Sequence, residues 1–502
     1  MGINGSYNDN DILSITASAY RLLPIFSPYD EDGYTPRLYH YYSTSDTSYE
    51  PEMRKFVYSD VPDREFNDNN PKTITADLNG QVVWKPVKGL SASSQLGYNT
   101  MTIYENIYNS SQTLDGIYSN GLQGYSRRSG IFSYTMNNVN RVNYSNTFGR
   151  HSVSALGALE LTSKTHRYLY ASGYGFINDF IKELAYATSG SISGSSNTTY
   201  SKSLSYLAQL TYSFDKRYYL TTSWRRQGNS AFSTYARWGN FASVGLSYNM
   251  HNEKWFSIPW ISTLKLKASY GNNGNSRLDT SSAYGTYTYS DGSYYGGVMG
   301  AHQSTPPNPG LSWETTYIQN YGVSLGIKKR VEIDVEYYDK LTDNLLYNGR
   351  VSNVISSGTV TRNVGQIDNK GIEVSVNARL LHNRDWDWDM AVHGSRNRNI
   401  IKKLYKGMHT GFFDYVWMEG ASKNAWWLVR WAGVDPVDGS PMWYDKDGNL
   451  THVFSYDNRV LLPEYDKQPA LEGGMSQNLK WKNFTLNLLF NYTIGGWTRS
   501  GI

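Results

Sequence analysis

The sequence predicts an all-β protein: an antiparallel transmembrane β-barrel of about fourteen strands, with short periplasmic turns and long extracellular loops. The first observation is the rhythm of the chain, in which strand-like segments of about ten residues are joined alternately by short turns and long loops. The second is the composition, with 44 Tyr, 15 Trp and 16 Phe among 502 residues and a mean hydropathy of only −0.55. Tyr and Trp favour membrane–water interfaces. Because apolar and polar residues alternate along a barrel strand, the mean hydropathy of a transmembrane barrel stays low even though one face of each strand is apolar.

The predicted strands come in seven pairs, each joined by a short turn. Turns are expected at Lys85–Lys88 and at Gly149–Arg150, where Pro and Gly interrupt the pattern. The first 72 residues are less defined, because Ile12–Tyr20 fits a strand or a short helix and a Pro- and Asp-rich stretch follows it. The predicted pairs are 73–84 with 89–99, 137–147 with 151–168, 203–214 with 217–226, 241–251 with 262–272, 314–327 with 331–341, 361–381 with 386–397, and 470–480 with 483–494.

Period-two alternation gives these strands one apolar and one polar face. In Val331–Tyr337 the apolar residues share one side and three acids share the other, and Phe484–Tyr492 repeats the pattern with polar residues. An acid placed in lipid would cost several kcal/mol, so the polar faces must meet water or a polar lumen. A soluble β-sandwich shows the same alternation, but the strand length and the regular short and long connections favour the barrel.

The long connections are predicted to be extracellular loops that carry function. They are rich in Gly, Ser and Tyr, and structureless loops of such length are uncommon unless they are functional. We place them near residues 100–136, 168–203, 272–314, 341–361 and 397–470.

Several classes of protein are disfavoured by composition and motifs. The formal charge of +4 from 47 basic and 43 acidic residues gives no reason to expect a nucleic-acid partner, and the chain has no Cys. The nine His show no metal-binding spacing, so neither a metal site nor a cofactor is predicted. Asp30–Gly33 and Asp445–Asn449 are interpreted as turns, with calcium as the alternative, and Asp385–Asp389 as Trp facing the membrane edge and Asp facing water.

No catalytic residue is predicted either. A glycosidase pair could be imagined from Glu314 with Asp334 or Glu336, but the sequence gives no reason for these carboxylates to meet across a cleft. Structural ion pairs in a polar lumen explain them better. The chain is therefore expected not to be an enzyme.

Several blocks of sequence carry a family likeness. They are the stretches between Tyr206 and Asn275 (YLAQLTYSFDKRYYLTTSWRRQGNSAF, ARWGNFASVGLSY and LKLKASYGNNGN), then Asn308–Thr316 (NPGLSWETT), Asn363–Glu373 (NVGQIDNKGIE) and Trp431–Gly439 (WAGVDPVDG). In this order they resemble the SusC/RagA family of TonB-dependent outer-membrane transporters. The resemblance implies a 22-stranded barrel holding an N-terminal plug in a Gram-negative, Bacteroidetes-type outer membrane, with a SusD-like lipoprotein as lid and import of oligosaccharides or peptides with TonB energy.

The chain is expected to be the barrel portion of such a protein. No plug domain, TonB box or signal peptide is recognisable, so residues 1–502 are interpreted as one barrel portion with a poorly defined start at 1–72. Outer-membrane lipid, the lid protein, the TonB complex and the substrate are the expected partners. The alternatives are a soluble aromatic-rich glycan-binding or adhesion module and a passive porin.

Aromatic residues of the long loops are the candidates for substrate contact. Sugars pack their C–H faces on aromatic rings, and the same rings could instead pack the loops together or contact the lid protein. The candidates are Tyr287, Tyr289, Tyr294, Tyr295, Trp426, Trp427 and Trp443.

Overall fold

The structure is a computed structural model. It describes residues 2–7, 66–113, 116, 122–276, 278, 282–295, 297–350, 359–404, 410–412 and 415–498. The sequence predictions for Ile12–Tyr20 and for the turn Asp30–Gly33 lie outside these residues.

Regular structure in the described residues is almost entirely β-strand. The strands are β1 (Gly2–Tyr7), β2 (Asp68–Val87), β3 (Leu90–Asn109), β4 (Tyr125–Phe148), β5 (His151–Tyr174), β6 (Ser193–Phe214), β7 (Tyr218–Asn229), β8 (Trp238–Asn249), β9 (Ile261–Asn275), β10 (Thr286–Tyr295), β11 (Val298–Thr305), β12 (Glu314–Ile327), β13 (Val331–Asp343), β14 (Leu346–Arg350), β15 (Thr359–Asn363), β16 (Gln366–His382), β17 (Trp386–Lys403), β18 (Thr410–Phe412), β19 (Tyr415–Trp417), β20 (Ala425–Leu428), β21 (Trp431–Val434), β22 (Pro441–Tyr444), β23 (Leu450–Thr451), β24 (Val460–Asp466), β25 (Leu471–Trp481) and β26 (Phe484–Ile494). Short 3₁₀ turns lie at Leu184–Tyr186, Met250–Asn252 and Tyr456–Asn458. Among the residues described, no helix is long and apolar enough to cross a membrane.

One sheet holds fifteen of these strands, in the order β1 to β9, β12, β13, β16, β17, β25 and β26. Each strand lies beside the next in chain order, and the pairings described residue by residue are antiparallel. Apart from β1, the strands of this sheet match the fourteen predicted from the sequence, so the predicted fold class is confirmed. The strand order has two ends, β1 and β26, in the described residues.

The chain forms two compact units, which we describe separately. Unit 1 comprises Met1–Val82, Ser94–Val139 and Glu160–Lys202, and unit 2 comprises Val83–Ser93, Asn140–Leu159 and Ser203–Ile502. The loop site at Asp179 belongs to unit 1. The polar face, the loop core and the aromatic surface described below belong to unit 2.

The predicted loops near 100–136 and 168–203 are wrong in extent, because β3 to β6 continue far into them. Their Tyr, Ser and Thr suit a solvated antiparallel strand as well as a loop, so composition did not mark where the strands end. The first predicted turn is also displaced. It lies at Lys88–Gly89, where Gly89 has a positive φ of 85°, while Lys85–Val87 belong to β2.

Register places apolar residues in rows across the main sheet. Leu266, Val323, Val335 and Val374 are successive neighbours on β9, β12, β13 and β16. The next residue along each strand faces the other side of the sheet. That second row is Lys265, Ser324, Asp334 and Ser375, so one face of the sheet is apolar and the other is polar.

Aromatic rings cluster at the ends of the strands that short turns connect. Tyr218 stacks on Tyr248 with ring centroids 5.0 Å apart, and Phe214 packs against the same Tyr218. Trp481 stacks between Trp386 and Phe484 at 5.6 and 5.9 Å. The rings lie on the apolar face, and such a band is typical of a membrane–water interface.

Small sheets fill the long connections. β10 pairs with β11 and β14 with β15, each as a hairpin between two strands of the main sheet. The last long connection holds a four-stranded sheet of β18, β19, β20 and β24 and a three-stranded sheet of β21, β22 and β23. The described parts of these predicted loops are therefore largely folded into small sheets, which gives their side chains fixed positions.

Candidate functional site

Charged side chains bridge three strands on the polar face. Lys267 Nζ on β9 lies 3.0 Å from Asp334 Oδ1 and 3.0 Å from Glu336 Oε1, both on β13. The lysine crosses over β12, which lies between these strands. The polar-face residues of β12 at this level are small: Gly322, Ser324 and Gly326 are all buried. A Cβ on Gly322 would stand 3.2 Å from Glu336 Cγ, so glycine gives the carboxylate room.

Under the loops, three aromatic rings form a buried core. Phe232, Phe241 and Trp313 pack together, with the Trp313 ring 4.9 Å from Phe232 and 5.4 Å from Phe241. Trp313 also donates from Nε1 to a backbone carbonyl, that of Arg237, at 3.1 Å. A Cβ at Gly274 would come within 2.1 Å of the Phe241 ring, which explains a glycine in this strand. This core fixes the start of β12 beneath the loops.

Two of the sequence blocks that carried the family likeness bind each other. Asn363 accepts a hydrogen bond from the Ser312 N–H at 2.7 Å and donates one to the Ser312 carbonyl at 2.7 Å. Asn308 donates to the Thr361 carbonyl at 2.7 Å. These contacts join the Asn308–Thr316 block to Asn363, the first residue of the Asn363–Glu373 block, and to Thr361 just before it, so both blocks serve to position the loops.

In unit 1, Asp179 anchors the loop between β5 and β6. Its carboxylate accepts hydrogen bonds from the Tyr108 hydroxyl at 2.8 Å and from the Ser111 N–H and hydroxyl at 2.9 Å each. Burial opposes ionisation, but the bonds from the Ser111 N–H, Tyr108, Ser110 and Ser111 outweigh it and lower the Asp179 pKa to about 2. On either side of this anchor, Ile177 and Phe180 are 98% and 95% exposed.

The tyrosines predicted to contact substrate lie on one hairpin strand. Tyr287 and Tyr289 on β10 are 63% and 68% exposed. Tyr294 and Tyr295 belong to the same strand, and their side chains lie outside the description. Within the described residues no ring contact joins Tyr287 or Tyr289 to the predicted tryptophans. The hairpin thus exposes its aromatic rings to solvent at a place separate from the predicted tryptophans.

Two of the predicted tryptophans belong to one continuous aromatic surface, which we call the aromatic array. Trp431 and Trp443 face each other across β21 and β22 at 5.7 Å, and Phe454 lies 5.5 Å from Trp443. Tyr456 follows at 5.0 Å from Phe454. The array is completed by Arg459 and Trp427, described next.

Arg459 joins Tyr456 to Trp427, the last ring of the array. Its guanidinium carbon lies 5.3 Å from the Tyr456 ring and 4.1 Å from the Trp427 ring. Cation–π contacts of this kind hold the guanidinium over the rings, and its Nε also donates to the Tyr456 carbonyl at 2.8 Å. Trp431, Phe454 and Tyr456 remain between 47% and 65% exposed.

Trp426, the remaining candidate, has a different environment. Its Nε1 donates to the Trp497 carbonyl at 3.0 Å, and the Trp497 ring lies 4.8 Å from Tyr465. Because neighbouring strand residues face opposite ways, Trp426 and its neighbour Trp427 on β20 cannot share one surface. The structure thus brings Trp427 and Trp443 together and separates Trp426.

Sequence reasoning missed four members of the array: Trp431, Phe454, Tyr456 and Arg459. Trp431 was noted only as part of a family-like block, and the other three lie in a loop without a recognisable motif. The available signal was the number of large apolar residues in a polar loop. Exposed neighbours of the array include Val437 at 92% and Val453 at 71%.

The described residues give no sign of a metal centre or a carboxylate pair for catalysis. No group of three or more His, Asp or Glu is placed to hold a metal ion among them. Asp445 accepts hydrogen bonds from the Asp447 and Asn449 N–H groups, which is the predicted turn. Glu314 receives bonds from Asn275 and the Leu346 N–H.

The imagined glycosidase pair is separated along the sheet. Asp334 pairs with Ser324, ten residues along β12 from Glu314. At about 3.3 Å per residue the separation is about 33 Å. Paired glycosidase carboxylates stand only about 5 to 9.5 Å apart.

Long antiparallel strands in chain order, an apolar face bordered by aromatic rings and a polar face carrying ion pairs define an outer-membrane β-barrel protein. The chain belongs to the TonB-dependent receptor-like β-barrel family, whose model matches residues 5–498. The family consists of outer-membrane transport proteins rather than enzymes, so the predicted location and the expectation of no catalysis are confirmed.

Similarity to characterised proteins confirms the SusC/RagA resemblance. The chain is 29% identical to TonB-dependent receptor P39 of Formosa agariphila over 84% of its length and 39% of that protein. It is 28% identical to the TonB-dependent receptor SusC of Bacteroides thetaiotaomicron over 56% of its length and 30% of that protein. The chain therefore spans less than half the length of these two curated relatives.

A solved structure shows the same fold. The RagAB peptide transporter matches with a TM-score of 0.80 and 25% identity, covering 93% of this chain and 52% of that chain. The RagAB peptide importer in its open-open state matches with a TM-score of 0.81, covering 94% of this chain and 51% of that chain.

Proposed function

We propose that the complete protein imports oligosaccharides or peptides across the outer membrane, and that the aromatic array is part of its extracellular substrate surface. The observation that carries the proposal is the continuous run of rings from Trp431 to Trp427, in which Trp431, Phe454 and Tyr456 are exposed and Arg459 joins Tyr456 to Trp427. Single exposed aromatics are common, but a contiguous exposed patch usually marks a binding site. Family membership and the likeness to SusC and to the RagAB peptide transporter support transport as the purpose of that site.

The chemistry of the array suits either class of substrate. Ring faces pack against the C–H faces of sugars or against peptide side chains, and the Arg459 guanidinium adds a positive charge beside the rings that favours polar or anionic groups. Tyr287 and Tyr289 on the β10–β11 hairpin provide further exposed rings. We propose them as a second contact region, as the sequence suggested.

We further propose a SusD-like surface lipoprotein as lid and TonB as the source of energy. The resemblance to SusC/RagA proteins implies both partners. In unit 1, Ile177 and Phe180 expose nearly their whole side chains beside a rigid Asp179 anchor. Rigid, exposed apolar residues are suited to burial at the centre of a protein interface.

Binding of a panel of oligosaccharides and peptides to the full-length protein tests the substrate proposal. Trp443→Ala with Phe454→Ala removes the middle of the array and should weaken binding of the cognate class by about tenfold or more, as for other aromatic anchors. Trp255→Ala removes a tryptophan that is 62% exposed and lies outside the array, in the connection between β8 and β9, and it is the control. Unchanged binding in the double variant would refute the array as a substrate surface.

The lid proposal has a separate readout. Ile177→Asp with Phe180→Asp should reduce co-purification of the lipoprotein encoded beside the transporter, while heat-modifiable migration of the barrel in detergent gels stays normal. Tyr200→Ala, at an exposed tyrosine on β6, is the control. Full co-purification with both aspartates present would exclude this loop from the lid contact.

A further inference from the structure

A cleft lined by Arg396 and Arg398 opens on the apolar side of the main sheet where the apolar rows end. Tyr337, Ile372 and Arg396 are neighbours in one row across β13, β16 and β17. The next row outward from the periplasmic turns is Asp339, Lys370 and Arg398. The face therefore changes from apolar to charged over these two rows, beginning at Arg396, as it must at the outer boundary of a bilayer.

The two arginines have no partner of their own in the described part of the chain. Lys370 pairs with Asp339 at 2.7 Å and with Asp368 at 3.5 Å, and Lys402 also reaches Asp368 at 3.6 Å. Arg396 and Arg398, in contrast, are exposed and make no hydrogen bond or ion pair with a described residue. Two neighbouring guanidinium groups on a strand repel each other, so an anion between them would stabilise both.

The local topology creates space beside these arginines. β25 pairs with β17 only as far as Ser395, and beyond that residue the chain segment around Gln468 takes its place, donating to the Asn397 carbonyl. The gap is a cleft of about 700 Å³. Its lining includes Tyr337, Ile372, Lys370, Arg396, Arg398 and Trp497, together with two acids, Glu464 and Asp466.

We propose that this cleft binds the phosphate group of an outer-leaflet lipid. Tyr337 and Ile372 continue the lipid-facing rows, so they contact acyl chain. Arg398 stands at headgroup level in the next row, and the long side chain of Arg396 extends towards it, so that both form charge-assisted hydrogen bonds to phosphate oxygens. An amphiphile with an anionic headgroup therefore matches both the apolar residues Tyr337 and Ile372 and the two arginines. Free phosphate could make the same contacts to the arginines but none to the apolar residues.

Lipid binding to the full-length protein in detergent tests the proposal by native mass spectrometry. The probes are monophosphoryl lipid A and its dephosphorylated form, and wild-type protein should retain the phosphorylated lipid preferentially. Arg396→Gln with Arg398→Gln should weaken that retention by about tenfold or more, since both charge-assisted donors to the phosphate are lost. Lys254→Gln with Lys446→Gln removes two exposed charges elsewhere and should bind like wild type.

Three results would overturn the proposal. Equal retention of both lipids by wild-type protein would show that phosphate is not recognised, and this comparison needs no variant to fold. Equal retention by the arginine double variant would place the site elsewhere. Complete displacement of the lipid by millimolar inorganic phosphate would assign the cleft to the free anion. Transport is measured separately, so failure here leaves the proposed import function standing.

Discussion

Lys267 Nζ lies 3.0 Å from Asp334 Oδ1, although β12 separates the strands that carry them. Ser324, directly opposite Asp334 on β12, donates to the same carboxylate. The neighbouring residue Val335 faces the other side, among Val323 and Val374. One pair of adjacent residues on β13 thus distinguishes the water-facing from the lipid-facing side of the sheet.

This distinction predicts unequal effects of two substitutions on β13. Val335→Arg puts a charge into lipid and should cost about 2 to 4 kcal/mol near the bilayer midplane. Asp334→Ala leaves Lys267 paired with Glu336 on the hydrated side and should assemble better. The fraction of heat-modifiable protein in outer-membrane preparations measures this, and equal yields would contradict the facing assignment.

Small residues under the Lys267 bridge give a second prediction. Ser324→Leu fills the space between Lys267 and Asp334 and should lower the free energy of unfolding by roughly 1 to 3 kcal/mol, as overpacking does. Val323→Leu adds a methylene on the lipid side, where there is no packed partner, and should have little effect. Urea unfolding of both variants in detergent provides the comparison, and similar midpoints would argue against a packed bridge.

The fold was largely predictable because period-two alternation depends on local sequence alone. Val331–Tyr337 shows both faces without knowledge of any partner strand. Strand ends beyond the membrane were not predictable. The Ser- and Thr-rich residues 193–202 of β6 were predicted to be loop, since a solvated strand and a loop share that composition.

The candidate site was predictable only in part. Trp427 and Trp443 were found because they are large aromatics in a long loop, but their connection depends on Arg459, Phe454 and Tyr456. Those contacts arise from two small sheets that fold within the connection between β17 and β25. Pairing across such distances in sequence leaves no periodic signal.

Removing the central ring of the loop core gives a third prediction. Trp313→Ala should destabilise the packing with Phe232 and Phe241 by about 3 to 5 kcal/mol, the usual cost of a buried aromatic. The expected consequence is faster limited proteolysis in residues 276–313 while the barrel stays heat-modifiable. Trp255→Ala is the exposed control, and equal cleavage rates in the two variants would show that Trp313 does not hold the loops.

The Asp179 anchor in unit 1 predicts a loop that loosens in acid. Its pKa falls from 3.8 to about 2 in the folded protein, so between these values the unfolded loop binds more protons than the folded one. The stability from this carboxylate is complete above the ordinary value and is lost as the pH falls towards about 2. Pepsin cleavage near Phe180 should therefore rise steeply over that interval.

Asp179→Asn supplies the control for this pH dependence. The amide cannot gain a proton, so cleavage near Phe180 in this variant should already be fast at pH 4 and should lose the steep dependence. Gln112→Ala, which removes only a peripheral contact of the same carboxylate, should behave like wild type. A wild-type profile identical to that of Asp179→Asn would rule out the anchor.

The most direct test of the central claim is site-directed spin labelling along β13. The chain has no Cys, so single cysteines at 331 to 337 can each be labelled in the full-length protein after any cysteines outside this chain are removed. In liposomes, collision rates with lipid-soluble oxygen and with a water-soluble nickel chelate should alternate with period two: oxygen high at 331, 333, 335 and 337, and nickel high at 332, 334 and 336. Uniform nickel access at all seven positions, or the opposite alternation, would contradict a lipid-facing Val335.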